Sequence, residues 1–247
     1  MLPLLTFIPP IIAHRGARDS APENTLAALR IAHEQHVSWV EVDTKLTHDG
    51  VPILMHDEML DRTTDGKGAV ADTEWSIIQK LDAGRWFEPR FIDERVPTLT
   101  AALKLILELG LKLNLEIKPC PGRARATTMV VLIEAAKIWP ENQVPPLISS
   151  FDMECLQIAA QLLPHWPRGL LLDKWDDNWQ DSVTKVQAST INLEADLLTE
   201  ERVENLLKAQ LPILTYTVND PLRAKELLNW GVSAVFTDKP REMMARL

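Results

Sequence analysis

Cysteine is scarce in this chain: 247 residues hold only two, Cys120 and Cys155. They form no Cys-x-x-Cys pair and no Cys/His cluster, so nothing in the sequence points to a zinc site. Counting leaves one disulfide open, but in a chain of this length two cysteines are expected as reduced, packed thiols of a cytoplasmic protein. Positive charge is also short. Lys and Arg number 26 against 35 Asp and Glu, a formal net charge of −9. Nucleic-acid binding wants clustered Lys and Arg, so no nucleic-acid partner is expected. An anionic ligand would need a local positive site. No apolar run is long enough to span a bilayer, so stable membrane insertion is not expected either. The apolar stretch from Leu2 to Ala13 lacks a preceding Lys or Arg, and Pro9-Pro10 interrupt it. It runs straight into His14-Arg15-Gly16, where cleavage would remove the first strand. Residues 1–10 are therefore read as a lead-in and Ile11–Ala13 as strand one. A Gly-x-Gly-x-x-Gly turn is missing, which removes support for a nucleotide site. Heptads, low-complexity tracts and repeats are missing too. Oligomeric state is left open.

What is present is alternation. Apolar, β-rich runs at 11–14, 38–43, 112–118, 145–150, 168–172, 189–193, 211–218 and 233–237 read as strands. Helix-like segments lie between them, near 24–36, 98–110, 123–139, 152–163, 178–188, 199–209, 220–230 and 240–246. Thr98, Asp152 and Thr199 stand where N-caps belong, and Asp220-Pro221 places proline at a first helical position. Strict alternation implies a parallel sheet. The length is close to the roughly 250 residues of a (β/α)8 barrel. A closed TIM barrel is the expected fold, and an open doubly wound sheet is the alternative. Residues 47–97 break the rhythm, being too long for a simple βα loop. Asp49-Gly50 and Asp65-Gly66-Lys67-Gly68 read as turns, Val51–His56 as an extended segment, and Thr73-Glu74-Trp75 as the opening of a short helix. This stretch is read as an insertion after strand two, on the face where a barrel presents its site.

Polar groups collect at the ends of the strands. Ala-His-Arg-Gly occupies 13–16, Val-Glu-Val-Asp 40–43, His-Asp 56–57 and Lys-Leu-Asn-Leu-Glu-Ile-Lys 112–118. Side chains alternate across a strand. Val40, Val42, Leu113, Leu115 and Ile117 would therefore meet a helix layer. Glu41, Asp43, Asn114, Glu116 and Lys118 would face the barrel interior, where charge is costly unless paired or metal-bound. An antiparallel strand with one wet face shows the same alternation, but two such segments flanked by histidines favour a shared mouth. Three carboxylates form an all-oxygen site suited to Mg2+, Ca2+ or Mn2+ rather than zinc. Histidine carries protons near neutral pH. His33, His36, His48 and His165 lack such context and read as surface residues. The tryptophans read as packing, with Trp86-Phe87 set aside as a lid for the site.

Together these segments resemble the glycerophosphodiester phosphodiesterases, and in particular short cytosolic bacterial members. The resemblance rests on Ala-His-Arg-Gly, Pro-Glu-Asn-Thr (22–25), Val-Glu-Val-Asp, His-Asp, Leu-Asn-Leu-Glu-Ile-Lys, Ser-Phe (150–151) and Thr-Asp-Lys-Pro (237–240), which follow in family order over nearly the whole chain. It implies a TIM barrel with a small insertion after strand two: one catalytic domain over 1–247, with 47–97 as the insertion. His14 and His56 match the catalytic histidines. Glu41, Asp43 and Glu116 match the ligands of one divalent cation, Mg2+ or Ca2+, with Mn2+ also admitted. Arg15 and Lys118 match the phosphate-contacting cations. Tyr216, in Tyr216-Thr217-Val218-Asn219, stands where the family usually shows tryptophan. That replacement bears on the packing wall and the alcohol preference, not on the chemistry. The implied reaction is metal-dependent hydrolysis of a glycerophosphodiester, a small-molecule substrate, to sn-glycerol 3-phosphate and an alcohol. A lysophospholipase D or C-like enzyme acting on lipids is the runner-up, and a barrel that kept only anion binding is the non-enzymatic reading. Two of the motifs have bland readings: Pro-Glu-Asn-Thr, with Glu23, can be structural because Asn24 or Thr25 can cap the following helix, and Asp238 before Lys239-Pro240 can simply end strand eight.

Overall fold

A computed structural model describes residues 8–247; the first seven residues of the 1–10 lead-in lie outside them. The elements follow in the order β1 (Ile11–Ala13), α1 (Leu26–Glu34), β2 (Trp39–Leu46), β3 (Pro52–Leu54), α2 (Trp75–Ile78), α3 (Leu99–Glu108), β4 (Lys112–Ile117), α4 (Ala124–Ile138), β5 (Leu147–Ser150), α5 (Met153–Leu162), β6 (Arg168–Leu172), α6 (Trp179–Val186), β7 (Thr190–Glu194), α7 (Glu200–Leu207), β8 (Ile213–Tyr216), α8 (Pro221–Trp230), β9 (Ala234–Thr237) and α9 (Pro240–Arg246). Eight of the strands run parallel, in the order β1-β9-β8-β7-β6-β5-β4-β2. The pair Ala13–Val40 joins β1 to β2 and closes the sheet into a barrel. Closure removes the open-sheet alternative, together with every free edge on the parallel strands.

Alternation along the strands produces the layers. Val40, Val42, Leu113, Leu115 and Ile117 point outward and pack with Leu99, Leu103, Ile106, Val131 and Leu132 from α3 and α4. Opposite them, Ile191, Leu193, Ile213 and Val235 pack with Val203, Leu206, Leu227 and Met243. The inward set closes the lower end of the barrel with Ile12, Trp39, Leu147, Leu214, Ala234 and Phe236. Along β2 the inward side chains change from Trp39 to Glu41 and then Asp43, so the interior passes from apolar floor to charged mouth within one strand. The cap residues act as their positions suggest. Thr98 accepts from the Ala101 amide, Asp152 from Glu154 and Cys155, Thr199 from Arg202 and Asp220 from Leu222. Each such cap contributes about 1 kcal/mol. Cys120 and Cys155 are buried free thiols.

Residues 47–97 build a small core of their own above the mouth. Strand β3 adds antiparallel to the far end of β2, with Leu46 opposite Pro52 and Thr44 opposite Leu54. Ile53, Met55, Leu60, Val70, Ile78, Ala83 and Val96 then cluster beneath the connecting turns, with Cys120 from the barrel joining them. Asp82 ties the last part of this segment. Its Oδ1 accepts from the Gly84 and Arg85 amides at 2.9 and 2.7 Å, and its Oδ2 from the Asp93 amide at 2.9 Å. These bonds hold the carboxyl below the usual range even though burial pushes the other way. Asp82→Ala should cost about 1–3 kcal/mol, the scale of leaving buried donors unpaired. Denaturant unfolding measures that loss, and amide exchange should quicken first at Gly84, Arg85 and Asp93.

Candidate active site

The loop after β1 carries two consecutive left-handed residues, Arg15 (φ 58°) and Gly16 (φ 80°). Gly16 lies so close to α1 that an added Cβ would come within 2.7 Å of the Ala28 Cβ. Glycine therefore lets the loop lie flat on the helix. With the loop flat, the Arg15 amide reaches Glu41 Oε2 at 2.9 Å. Glu41 and Asp43 rise from β2, and Glu116 on β4 stands in register with Asp43. All three are buried, and oxygens of the three lie within 4.8 Å of one another, an arrangement that can hold a metal ion.

Charge around this triad is unevenly balanced. Asp43 Oδ2 accepts from Asn24 Nδ2 at 2.8 Å and lies 3.2 Å from Arg15 Nε. Its Oδ1 is 3.5 Å from Lys118 Nζ. Burial alone would raise Asp43, but the Arg15 and Lys118 charges hold it well below the usual carboxylate range. Glu41 goes the other way: burial and then the charges of Asp43 and Glu116 push it well up. Burial followed by the Asp43 charge brings Glu116 up to about 7. Lys118 Nζ sits 3.2 Å from Glu116 Oε1, close enough for charge attraction but without the alignment of a hydrogen bond. Glu41 Oε1 is buried and has no hydrogen-bond partner among the described residues.

Two histidines face this cluster, each backed by a carboxylate. His14 Nδ1 lies 2.8 Å from Asp238 Oδ1, and His56 Nδ1 lies 2.6 Å from Asp57 Oδ1. The Arg62 hydrogen bonds hold Asp57 well below the ordinary range. Burial would raise Asp238, but its bond from His14 keeps it low as well. An ionised carboxylate only accepts, so Nδ1 carries a hydrogen in both rings, and Nε2 keeps its lone pair in the neutral ring and gains a hydrogen in the charged one. Burial lowers both histidines and favours that neutral form. Nε2 of His14 is 4.0 Å from Glu41 Oε2.

His14, Arg15, Glu41, His56, Glu116, Lys118 and Tyr216 all line one cavity of about 140 Å3, and Asp43 sits directly behind them. Asn114 and Ser149 also line it, and Phe151, Leu171, Tyr216 and Phe236 give it an apolar wall. Phe151 and Tyr216 meet edge to face at 5.8 Å, and the Tyr216 hydroxyl donates to the Leu172 carbonyl at 2.8 Å. The ring rather than the hydroxyl is therefore offered to a ligand.

Several residues do more than their sequence reading granted. Thr25 caps α1, but Asn24 does not; its side chain bonds the Asp43 carboxylate and the Asp43 amide. Glu23 is gripped by Arg15, Arg18 and Arg62. Asp238 does not merely end β9, since it orients His14 and is itself held by Arg18 and Asn219. Arg18 and Arg62 carried no sequence signal, as exposed-looking arginines are common, whereas Asn219 belongs to the Tyr216-Thr217-Val218-Asn219 segment and gained its partner, Asp238, only in the fold. Asp57, directly after His56, was the available clue to a paired histidine. Trp86 and Phe87 meet edge to face and do not line the cavity. His33, His36, His48 and His165 are exposed, as expected.

A closed parallel barrel that gathers an acidic cluster and two carboxylate-backed histidines at the mouth where its strands end places its site where TIM-barrel enzymes carry theirs. The chain belongs to the glycerophosphoryl diester phosphodiesterase family, whose profile matches residues 14–242. The glycerophosphodiester phosphodiesterase of Caldanaerobacter subterraneus subsp. tengcongensis is 33% identical over 240 residues, covering 95% of this chain and 96% of that protein. The Bacillus subtilis enzyme of the same name is 32% identical over 246 residues, with 93% and 83% covered. Among solved structures, an Oleispira antarctica phosphodiesterase in complex with the product sn-glycerol-3-phosphate superposes with a TM-score of 0.95 at 35% identity, covering 98% of each chain.

The imbalance within the triad predicts a pH-dependent response to metal. Glu116 rises from 4.5 to about 7 on folding, so the folded state binds more protons than the unfolded state between those values. Its contribution to stability is complete below 4.5 and is lost as pH rises through about 7. A divalent cation binds the ionised form and replaces what is lost. Adding Mg2+ or Ca2+ should therefore raise Tm more at about pH 8 than at about pH 5.5. Thermal unfolding at both pH values with and without the cation measures this, and equal increments would contradict it.

Proposed function

We propose that this chain hydrolyses glycerophosphodiesters to sn-glycerol 3-phosphate and an alcohol, as one catalytic domain with 47–97 as an insertion within it. The observation that carries the reading is the pairing of two histidines, each fixed by a carboxylate, across one buried carboxylate triad. Binding alone requires no such pair of proton carriers. In this reading Glu41, Asp43 and Glu116 hold one divalent cation, Mg2+ or Ca2+, and Mn2+ also suits the all-oxygen donors. The buried, partnerless Glu41 Oε1 and the raised Glu41 and Glu116 fit a site that awaits positive charge. The bound cation supplies Lewis-acid stabilisation of the charge that builds on the phosphate oxygens.

Arg15 and Lys118 bind the phosphate anion from the remaining sides and orient it. One imidazole takes a proton at Nε2 from the attacking hydroxyl, and the other, protonated, gives one to the departing alcohol. The nucleophile in our reading is the vicinal hydroxyl of the substrate's own glycerol, because a tethered group has a large proximity advantage over water. Water then opens the cyclic phosphate, with the two histidines exchanging roles. The cavity is about 140 Å3 in volume. It suits a small polar headgroup, with the alcohol extending past the exposed Phe151. The two free thiols suit a reducing compartment, and we place the activity in the cytoplasm. Among the described residues no helix is long and apolar enough to cross a membrane.

His14→Ala and His56→Ala should each lower kcat by roughly 10²–10⁴-fold while unfolding remains cooperative. The double variant should lose less than the product of the two, since both groups act in one step. Steady-state assays on a panel of glycerophosphodiesters test these losses. A diester lacking the vicinal hydroxyl should bind but turn over hardly at all, and its brisk hydrolysis would show that water attacks directly.

A further inference from the structure

Arg62 belongs to the 47–97 segment, yet its guanidinium is spent entirely on carboxylates beside the cavity. Nε donates to Asp57 Oδ2 at 2.6 Å and Nη2 to Asp57 Oδ1 at 3.0 Å. Nη1 donates to Glu23 Oε2 at 2.8 Å and Nη2 to Glu23 Oε1 at 2.7 Å. Both carboxylates are thus engaged bidentately, a geometry that the planar guanidinium offers and an ammonium does not. Asp57 is the group that receives the His56 Nδ1 hydrogen. Glu23, whose side chain is 2% exposed, passes the connection on. Arg18 Nε bonds Glu23 Oε2 at 2.9 Å, Arg18 Nη1 bonds Asp238 at 3.1 Å, and Asp238 meets His14 Nδ1 at 2.8 Å. An unbroken chain of charged hydrogen bonds therefore joins the two histidines around the outside of the cavity.

We propose that Arg62 is a positioning residue for the hydrolytic reaction: it locks Asp57 onto His56, keeps the hydrogen on Nδ1 and aims Nε2 into the cavity. The inference rests on the function proposed above. It assigns the insertion an active part, because the residue that orients His56 comes from outside the barrel. Arg62 touches neither Glu41, Asp43 nor Glu116, so its loss leaves the metal cluster as it was. Glu23 keeps its bonds from Arg15 and Arg18 when Arg62 is removed, and the Arg62 side chain is 41% exposed. Arg62 variants are therefore expected to fold.

A residue that merely staples the insertion to the barrel would affect stability alone, and the experiment separates that role from positioning. Arg62→Gln and Arg62→Lys should lower kcat by roughly 10–100-fold, the scale of losing a group that orients a functional histidine. KM should stay within about threefold, as substrate contacts are untouched. Mn2+ titration by calorimetry should give the wild-type Kd. Added guanidinium should restore part of the kcat of Arg62→Ala. Side-chain 15N spectra should show His56 with hydrogen on Nδ1 in the wild type, and a larger share on Nε2 in Arg62→Gln. Wild-type kcat in both Arg62→Gln and Arg62→Lys, a loss confined to KM, or an unchanged His56 tautomer would overturn the proposal. If the wild-type protein hydrolysed no glycerophosphodiester, the proposed function would fail, and the tautomer measurement would still decide what Arg62 does.

Discussion

The mouth of this barrel is governed by the cost of burying negative charge. Glu23, Glu41, Asp43 and Glu116 are all withdrawn from solvent within one small region. Each needs hydrogen bonds, a counter-charge or a proton. The available cations are spread unequally. Glu23 collects three arginines and is held at about 2, and Asp43 is held low by Arg15 and Lys118. Little is left for Glu41 and Glu116, which burial and their neighbours push up. The same accounting thus separates carboxylates matched by counter-charge from carboxylates left short of it, which a cation could supply.

That separation depends on strand alternation and on closure. A parallel strand between a helix layer and a barrel interior must be apolar on its outer face, and β2 and β4 are. Their inner faces are free to carry charge only at the end where the barrel opens. Lys45 shows how far this goes: it is buried near the end of β2 and donates to the Lys118 carbonyl at 2.8 Å, which fixes the strand end that presents Lys118. Below, the apolar floor of Ile12, Trp39, Leu147 and Leu214 closes the barrel, so the charged layer is reached from the mouth side.

The second histidine comes from elsewhere. His56 follows β3, in a segment held by its own core and by the Asp82 bonds, and it reaches the cavity that His14 lines only because that segment folds back over β2. His14 on the barrel and His56 on the insertion thus share one hydrogen-bond network through Glu23. Any change that loosens the insertion is a change to the site, although the distance in sequence hides the connection.

The order of elements was legible because it rests on local physics. Period-two and period-3.6 patterning, threonine and aspartate caps and proline at a first helical position each leave marks within a few residues, and the strand and helix positions followed from them. The triad was legible for a similar reason: alternation places Glu41 and Asp43 on one face of β2 and Glu116 on the face of β4 opposite its apolar residues, while His14 was marked by its place at a strand end and by the family resemblance. Partners drawn from distant elements were not. Asp238 against His14, Asn24 against Asp43, and Arg62 against Glu23 and Asp57 are side-chain contacts made only once the barrel closes and the insertion docks. The sequence by itself determined which residues could face the interior and what chemistry they could carry. Tertiary structure decided which carboxylates are neutralised and which histidine nitrogen is free, because charge balance in a buried site depends on distances that local sequence does not encode.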